Sequence, residues 1–102
     1  MTPLKRATPE ELELLYRALA NQNDVQVIAA LLEDMCTIRE IHEMAQRLTV
    51  AKLLAEEQSY NMITEETGAS ATTIARVSKA LNYGAGGYEI VLAQEKEREA
   101  EL

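Results

Sequence analysis

The sequence predicts an all-α fold of six short helices, and three observations support this prediction. Helix-forming residues dominate the 102 residues, whereas the chain contains two prolines and four glycines. Aliphatic side chains recur at spacings of three and four, which is the period of an amphipathic helix. Two capping boxes, Thr8–Glu11 and Thr37–Glu40, also mark places where helices begin.

The first predicted helix begins at Thr8, because a proline and Glu11 follow this threonine at the positions that a capped helix start requires. It ends near residues 21–23, where three consecutive amide side chains favour a turn. The second helix opens at residue 23 or 24. Its apolar side chains at helical spacing are Ile28, Leu31, Leu32 and Met35. So wide an apolar stripe on a small protein indicates that a second subunit covers part of it.

The second capping box opens the longest helix, which we expect to reach Glu56 and to form the centre of the domain. One face of this helix carries Ile38, Ile41, Ala45, Leu48, Ala51 and Ala55, and Met44, Val50, Leu53 and Leu54 extend its apolar cover. Since the chain lacks tryptophan and phenylalanine, such small helices bury little surface alone. We therefore expect a homodimer.

Residues 59–82 have the spacing of a helix-turn-helix that reads DNA. Gly68 stands where the chain must turn through positive φ, and Ser70 can cap the helix that follows. Ile74, Val77 and Leu81 share the face expected to pack inward against Ile63. The opposite face carries Thr72, Thr73, Arg76 and Lys79. Between Gly68 and Gly87 there are two basic residues and no acidic one, although the chain has a net charge of −7. This locally positive segment is where a phosphate backbone could approach the protein.

The C-terminal part begins with a glycine-rich joint at residues 84–87 and continues as an amphipathic segment containing Tyr88, Val91 and Leu92. We predict a helical DNA-binding domain over residues 1–93, followed at 94–102 by a charged helix end or tail.

Composition and motifs exclude several classes of function. Cys36 is the only cysteine, so an intrachain disulfide and a multi-cysteine zinc site are both impossible, and a reducing cytoplasm fits. His42 begins a zinc-protease-like HE pair, but Gln46 stands where the second histidine is required. We therefore expect no metal, no catalytic residue and no enzymatic activity. No apolar run approaches the roughly 18 residues of a membrane span, and residues 1–10 lack the apolar core of a signal peptide.

The segments ETGASATTIARVSKALNYGAGGY and LLEDMCTIREIHEMAQRLTVAKLL resemble the Trp repressor family, in its YerC/YecD-like branch. The resemblance covers about residues 10–90. It implies an all-helical, intertwined homodimer that presents two helix-turn-helix units to successive major grooves of double-stranded DNA. The positions that face bases and phosphates in this family correspond here to Asn61, Ser70, Ala71, Thr72, Thr73 and Lys79.

The resemblance also locates a ligand pocket whose residues have changed. Tryptophan-sensing members carry an arginine, then a glycine, and a serine three residues after that glycine; this chain has Arg76, Val77 and Ala80. A branched side chain stands where the flat indole ring enters, and a hydroxyl is lost. Arg47 corresponds to the second carboxylate-binding arginine, with Gln46 as the competing match. We expect a vestigial pocket, no cofactor and no response to tryptophan, and the sequence names no other effector.

Two functions therefore follow from the sequence. The first is a homodimeric, cytoplasmic transcriptional regulator, a repressor that binds DNA without tryptophan. The alternative is a helical dimerisation or adaptor module that has lost DNA binding, which the net charge of −7 and the few basic residues favour.

Overall fold

A computed structural model of the protein describes residues 5–102, and these residues form α-helices joined by short turns, without a β-strand among them. The all-α prediction is confirmed. Residues 1–4 lie outside the described residues. They are the first four residues both of the predicted domain and of the N-terminal segment that lacks a signal-peptide core. The helices are α1 (Pro9–Ala20), α2 (Val25–Met35), α3 (Ile38–Ala55), α4 (Tyr60–Thr67), α5 (Ala71–Tyr83) and α6 (Gly87–Ala100).

The chain divides into two compact units, the first ending at Ile38 and the second running from Arg39 to Leu102. In the first unit, the predicted capping box is present at the start of α1. The backbone N–H of Glu11 donates to the Thr8 hydroxyl at 3.1 Å, and the N–H of Thr8 donates to the Glu11 carboxylate at 3.3 Å. Asp24 caps α2 by accepting the N–H of Gln26 at 2.9 Å. Of the two starts predicted for this helix, residue 24 is therefore the correct one.

Burial in the first unit is slight, since neither α1 nor α2 contains a buried residue. Large apolar side chains of these helices are instead open to solvent. Leu14 is 71% exposed, Val25 is 76% exposed and Tyr16 is 58% exposed. Of the stripe predicted on α2, Ile28, Leu31 and Leu32 are half-buried and Met35 is 50% exposed, so it is only partly covered in the single subunit.

In the second unit, α3 ends at Ala55 through a turn that contains a non-glycine residue in left-handed conformation. Glu57 has φ 63°, its N–H donates to the carbonyl of Leu54 at 3.0 Å, and the N–H of Gln58 donates to Leu53 at 3.0 Å. This pair of bonds is a Schellman cap, in which glycine is the usual residue at the left-handed position. This turn was not predictable from the sequence, because glutamate gives no sign of it.

A small core in the second unit joins α3, α4, the turn after α4, and α5. Its buried residues are Val50, Ala51, Ile63, Ala69, Ile74 and Val77, and Leu53, Leu54, Tyr88 and Leu92 pack partly buried against them. Ile63, Ile74 and Val77 therefore face inward, as predicted. The core consists of aliphatic side chains of modest size, which explains how it forms without phenylalanine or tryptophan.

The last helix, α6, begins at Gly87, so the joint between α5 and α6 is one residue shorter than predicted. The N–H of Gly84 donates to the carbonyl of Ala80 at 2.8 Å, and this hydrogen bond ends α5. A Cβ at Gly84 would collide with that same carbonyl oxygen. The charged segment is helical through Ala100. Lys52 of α3 pairs with Glu99 of α6 at 3.4 Å.

Candidate nucleic-acid interface

The helices α4 and α5 are joined by residues 68–70, and the turn depends on Gly68. Gly68 has φ 74°, and its N–H donates to the carbonyl of Thr64 at 2.8 Å to close α4. A Cβ built on this residue meets no atom within 4 Å. Glycine is needed here for its backbone conformation, therefore, and not for close packing.

Both helices of this pair begin with a serine cap. The Ser59 hydroxyl accepts the N–H of Met62 at 3.2 Å, and the Ser70 hydroxyl accepts the N–H of Thr73 at 3.2 Å. The Ser70 hydroxyl also donates to Oγ1 of Thr73 at 3.2 Å. These bonds use the polar atoms of Ser70 to fix the start of α5, so Ser70 has a structural role whatever it contacts outside the protein.

The predicted DNA-contacting side chains lie around the turn and along one side of α5. Thr73 is half-buried, and the remaining six are exposed: Asn61, Ser70, Ala71, Thr72, Arg76 and Lys79. Exposure of these residues opposite the buried Ile74 and Val77 gives α5 one face for the core and one face for solvent.

The electrostatics of this face differ from those of the rest of the chain. Residues 67–88 contain Arg76 and Lys79 and no carboxylate. Within the described part of the chain, neither of these cations takes part in an ion pair. By contrast, Arg17, Arg39 and Arg98 each pair with a glutamate on their own helix. Arg76 and Lys79 are consequently available to an external anion.

The residues of the predicted ligand pocket are spread over different environments. Val77 is 2% exposed and belongs to the core, whereas Arg47, Arg76 and Ala80 are exposed. Gln46, the competing match for Arg47, is half-buried, and its Nε2 donates to the carbonyl of Thr67 at 3.1 Å. This contact was not among the sequence-based predictions. The sequence offers only the spacing that puts Gln46 one helical turn before Val50 on the same face of α3, and the burial of that face comes from the structure.

Other groups suited to chemistry are dispersed. Over residues 5–102, no three histidine, cysteine, aspartate or glutamate side chains lie close enough to hold a metal ion together. His42 lies exposed on α3, and Cys36 is half-buried. None of the helices described is both long enough and apolar enough to span a bilayer.

The chain is similar to several known proteins in sequence and in fold. Residues 10–96 match the model of the Trp repressor protein family. The chain is 44% identical over 92 residues to YerC, an uncharacterized protein of Bacillus subtilis (strain 168), with 90% of this chain and 88% of YerC covered.

Two crystal structures are also similar. A TrpR-like protein from Eubacterium eligens ATCC 27750 superposes with a TM-score of 0.82 at 41% identity, covering 85% of this chain and 90% of that one. A proposed Trp repressor from Staphylococcus aureus superposes with a TM-score of 0.83 at 31% identity, covering 87% and 89% of the two chains.

Proposed function

This chain belongs to the Trp repressor family, and we propose that it is a sequence-specific DNA-binding transcriptional regulator that acts as a repressor. The observation that carries this proposal is the outward face of α5, which is free of carboxylates and holds two cations without ion-pair partners in the described residues. We place its action in the cytoplasm, where the bacterial chromosome lies.

In this proposal, α4, residues 68–70 and α5 act as a helix-turn-helix, with α5 entering the major groove. Ala71 and Thr72 lie in the first turn of α5, the part of such a helix that meets base edges. Arg76 and Lys79 lie further along and contact phosphates, which position the protein without reading sequence. Asn61 on α4 favours an adenine edge, whereas the arginine at this place in tryptophan-sensing relatives favours guanine.

We propose that the active form is a homodimer. Neither α1 nor α2 buries a residue, and Leu14, Tyr16 and Val25 of the first unit are more than half exposed. The second unit has its own uncovered surface, an open groove of about 580 Å³ between α3 and α6 whose apolar lining includes Leu48, Val91 and Leu92. A second copy of the chain can cover such surfaces and gain the hydrophobic free energy that one copy lacks. Two copies also supply the paired contacts that a palindromic site requires.

Tryptophan has no part in this proposal. Val77 fills core space as a branched side chain and Ala80 lacks a hydroxyl, so two features of the indole site of tryptophan-sensing relatives are missing. Isothermal titration calorimetry of the purified protein with tryptophan at millimolar concentration should give no binding heat. Saturable binding of tryptophan would contradict this part of the proposal and would make tryptophan a co-repressor of this protein.

The central experiment is selection from a pool of random DNA duplexes, followed by measurement of affinity for the enriched sequence over a range of salt concentrations. We expect a palindrome to be enriched. In the Arg76→Ala, Lys79→Ala variant, each dimer loses four phosphate contacts, so the slope of log affinity against log salt should become shallower by roughly three to four.

The matched control is Arg17→Ala, Arg39→Ala, which removes the same charge from exposed cations on α1 and α3. Because this variant leaves the α4–α5 pair unchanged, its salt slope should stay close to that of the parent protein. Equal losses in the two variants would show that net charge, and not this face, determines binding.

An adaptor module is the second candidate, favoured by the net charge of −7, which opposes approach to DNA. It predicts a stable dimer that retains no duplex even at low salt. The same selection therefore distinguishes the two functions.

A further inference from the structure

The contact between Gln46 and Thr67 joins the long helix α3 to the end of α4. The Nε2 atom of Gln46 donates to the Thr67 carbonyl at 3.1 Å in a half-buried position, 21 residues apart in the chain. Thr67 is the last residue of α4, and the last carbonyls of a helix lack partners within the helix. Gln46 thus satisfies an acceptor that would otherwise need water or another side chain.

The same threonine organises the turn that leads into α5. Its Oγ1 donates to the carbonyl of Ile63 at 2.7 Å and accepts the N–H of Ala69 at 3.1 Å. Ala69 is 2% exposed and packs in the core, and Gly68 between them holds its left-handed conformation. Hydrogen bonds internal to the turn therefore define its shape, while Gln46 ties that shape to α3.

We infer that Gln46 is a positioning residue that holds the α4–α5 pair at a fixed inclination on α3 without a bound effector. This inference rests on the proposed function, since the inclination matters because α5 has to enter a groove. A helix presented in one orientation loses less conformational entropy on binding than a helix that samples several. Amide and carbonyl are both uncharged, so this tie persists across the pH range and needs no small molecule.

The test uses the full-length chain with Gln46→Met, which keeps an unbranched side chain of similar length but removes the donor. Gln94→Met, at an exposed position of α6, makes the same chemical change away from the turn. Hydrogen exchange of the peptide spanning residues 64–70 and DNA affinity over a range of salt concentrations are measured for the parent and both variants. Sedimentation checks that all three have the same oligomeric state.

We expect Gln46→Met to accelerate exchange at residues 64–70 and to weaken DNA binding by about three- to tenfold, the size of one neutral hydrogen bond. The salt slope should stay unchanged, because no phosphate contact is lost. That combination separates positioning from direct contact. Gln94→Met should leave both readouts unchanged.

A third variant, Gln46→Lys, restores a nitrogen donor at comparable reach and should return exchange in the turn toward the parent rate. It also provides a folded comparison if Gln46→Met unfolds. Unchanged exchange in Gln46→Met, or failure of Gln46→Lys to restore protection, would overturn the inference.

Failure of the proposed function has a different signature. If the parent protein binds no duplex and Gln46→Met still loosens the turn, the positioning role stands and the DNA-binding role falls. If the parent binds DNA and Gln46→Met matches it in both readouts, the positioning role falls and the function stands.

Discussion

The first two helices and the last four differ in how far their apolar side chains are buried within one subunit. Both groups have well-formed helix starts, with Thr8 and Asp24 capping α1 and α2 as Ser59 and Ser70 cap α4 and α5. The second unit nevertheless has a core of six buried residues, whereas α1 and α2 have none. Capping residues thus start a helix in either region, but they do not determine whether its apolar face is buried.

This contrast indicates what each region contributes. The second unit carries the α4–α5 pair on a packed base, which keeps the exposed face of α5 in a defined orientation. The first unit offers exposed apolar side chains, such as Leu14 and Val25, whose free energy of burial is not used within one subunit. Substitutions in the two regions should therefore affect different measurements.

The largest effect is expected in the core of the second unit. Ile74→Ala removes buried methyl and methylene groups from a fully covered site and should lower the free energy of unfolding by about 2–5 kcal/mol. Urea denaturation at fixed protein concentration measures it. Ile90→Ala on α6, where the side chain is 61% exposed, is the matched control and should cost much less. Equal costs at both sites would contradict the core described above.

The first unit should respond in its association instead. In the proposed dimer, Leu14→Ala is expected to weaken dimerisation by about 2 kcal/mol per dimer, because two leucines would lose burial against the partner. Sedimentation equilibrium gives the dissociation constant. Leu102→Ala, at a 94% exposed leucine, provides the control. A dimer insensitive to Leu14→Ala would place the interface elsewhere.

The turn between α4 and α5 should be destabilised by any side chain at Gly68. Gly68→Ala places a Cβ at φ 74° and should cost about 1–2 kcal/mol through backbone strain alone, since the space around it is open. Gly87 begins a helix and also has open space, so Gly87→Ala should be neutral or slightly stabilising. Thermal or urea denaturation compares the two. The explanation fails if both replacements have the same sign.

The Schellman turn after α3 should give the opposite result. Glu57→Gly relieves a left-handed glutamate and should raise the free energy of unfolding by about 0.5–1 kcal/mol. The same replacement in the interior of α4, Glu65→Gly, should lower it by a similar amount. Urea midpoints of the two variants, compared at one protein concentration, should move in opposite directions from the parent.

The smallest effect concerns the pair Glu95 and Arg98 on α6. The Arg98 guanidinium donates to Glu95 at 2.8 Å and holds the pKa of this carboxyl below its usual range. A lowered pKa means that the pair stabilises the folded state above the ordinary pKa of glutamate and loses this effect as the pH falls through the lowered value. Arg98→Gln should therefore reduce the melting temperature slightly at pH 7, and this reduction should shrink as the pH falls below the ordinary pKa of glutamate. Lys96→Gln is the control for the loss of one positive charge. An equal change in melting temperature in this variant would show that the Glu95–Arg98 pair is not the cause.

Much of the fold was predictable because its signals are local. Thr8, Gly68 and Ser70 act within three or four residues of themselves, and the structure places each in its predicted role. The helical spacing of apolar residues in α5 likewise identified Ile74 and Val77 as facing inward and Arg76 as facing outward. The positions proposed for DNA contact remain predictions, although their exposure, apart from half-buried Thr73, is compatible with that role.

The long helix shows where the sequence was insufficient. Leu48 lies on the face predicted to be principal, yet it is 42% exposed and lines the open groove, whereas Val50 is fully buried. Apolar residues surround α3 on several sides, so periodicity cannot say which side is covered by the same chain.

The sequence by itself determined that helices form and where most of them begin and end, because caps, turn residues and periodicity act over a few residues. The family followed separately, from the resemblance of two long segments to its members. Only the tertiary structure decided which side of α3 carries the core, that Gln46 reaches the Thr67 carbonyl, and that α1 and α2 contain no fully buried residue in one subunit. Those properties depend on contacts between residues far apart in the chain, and no local pattern encodes them.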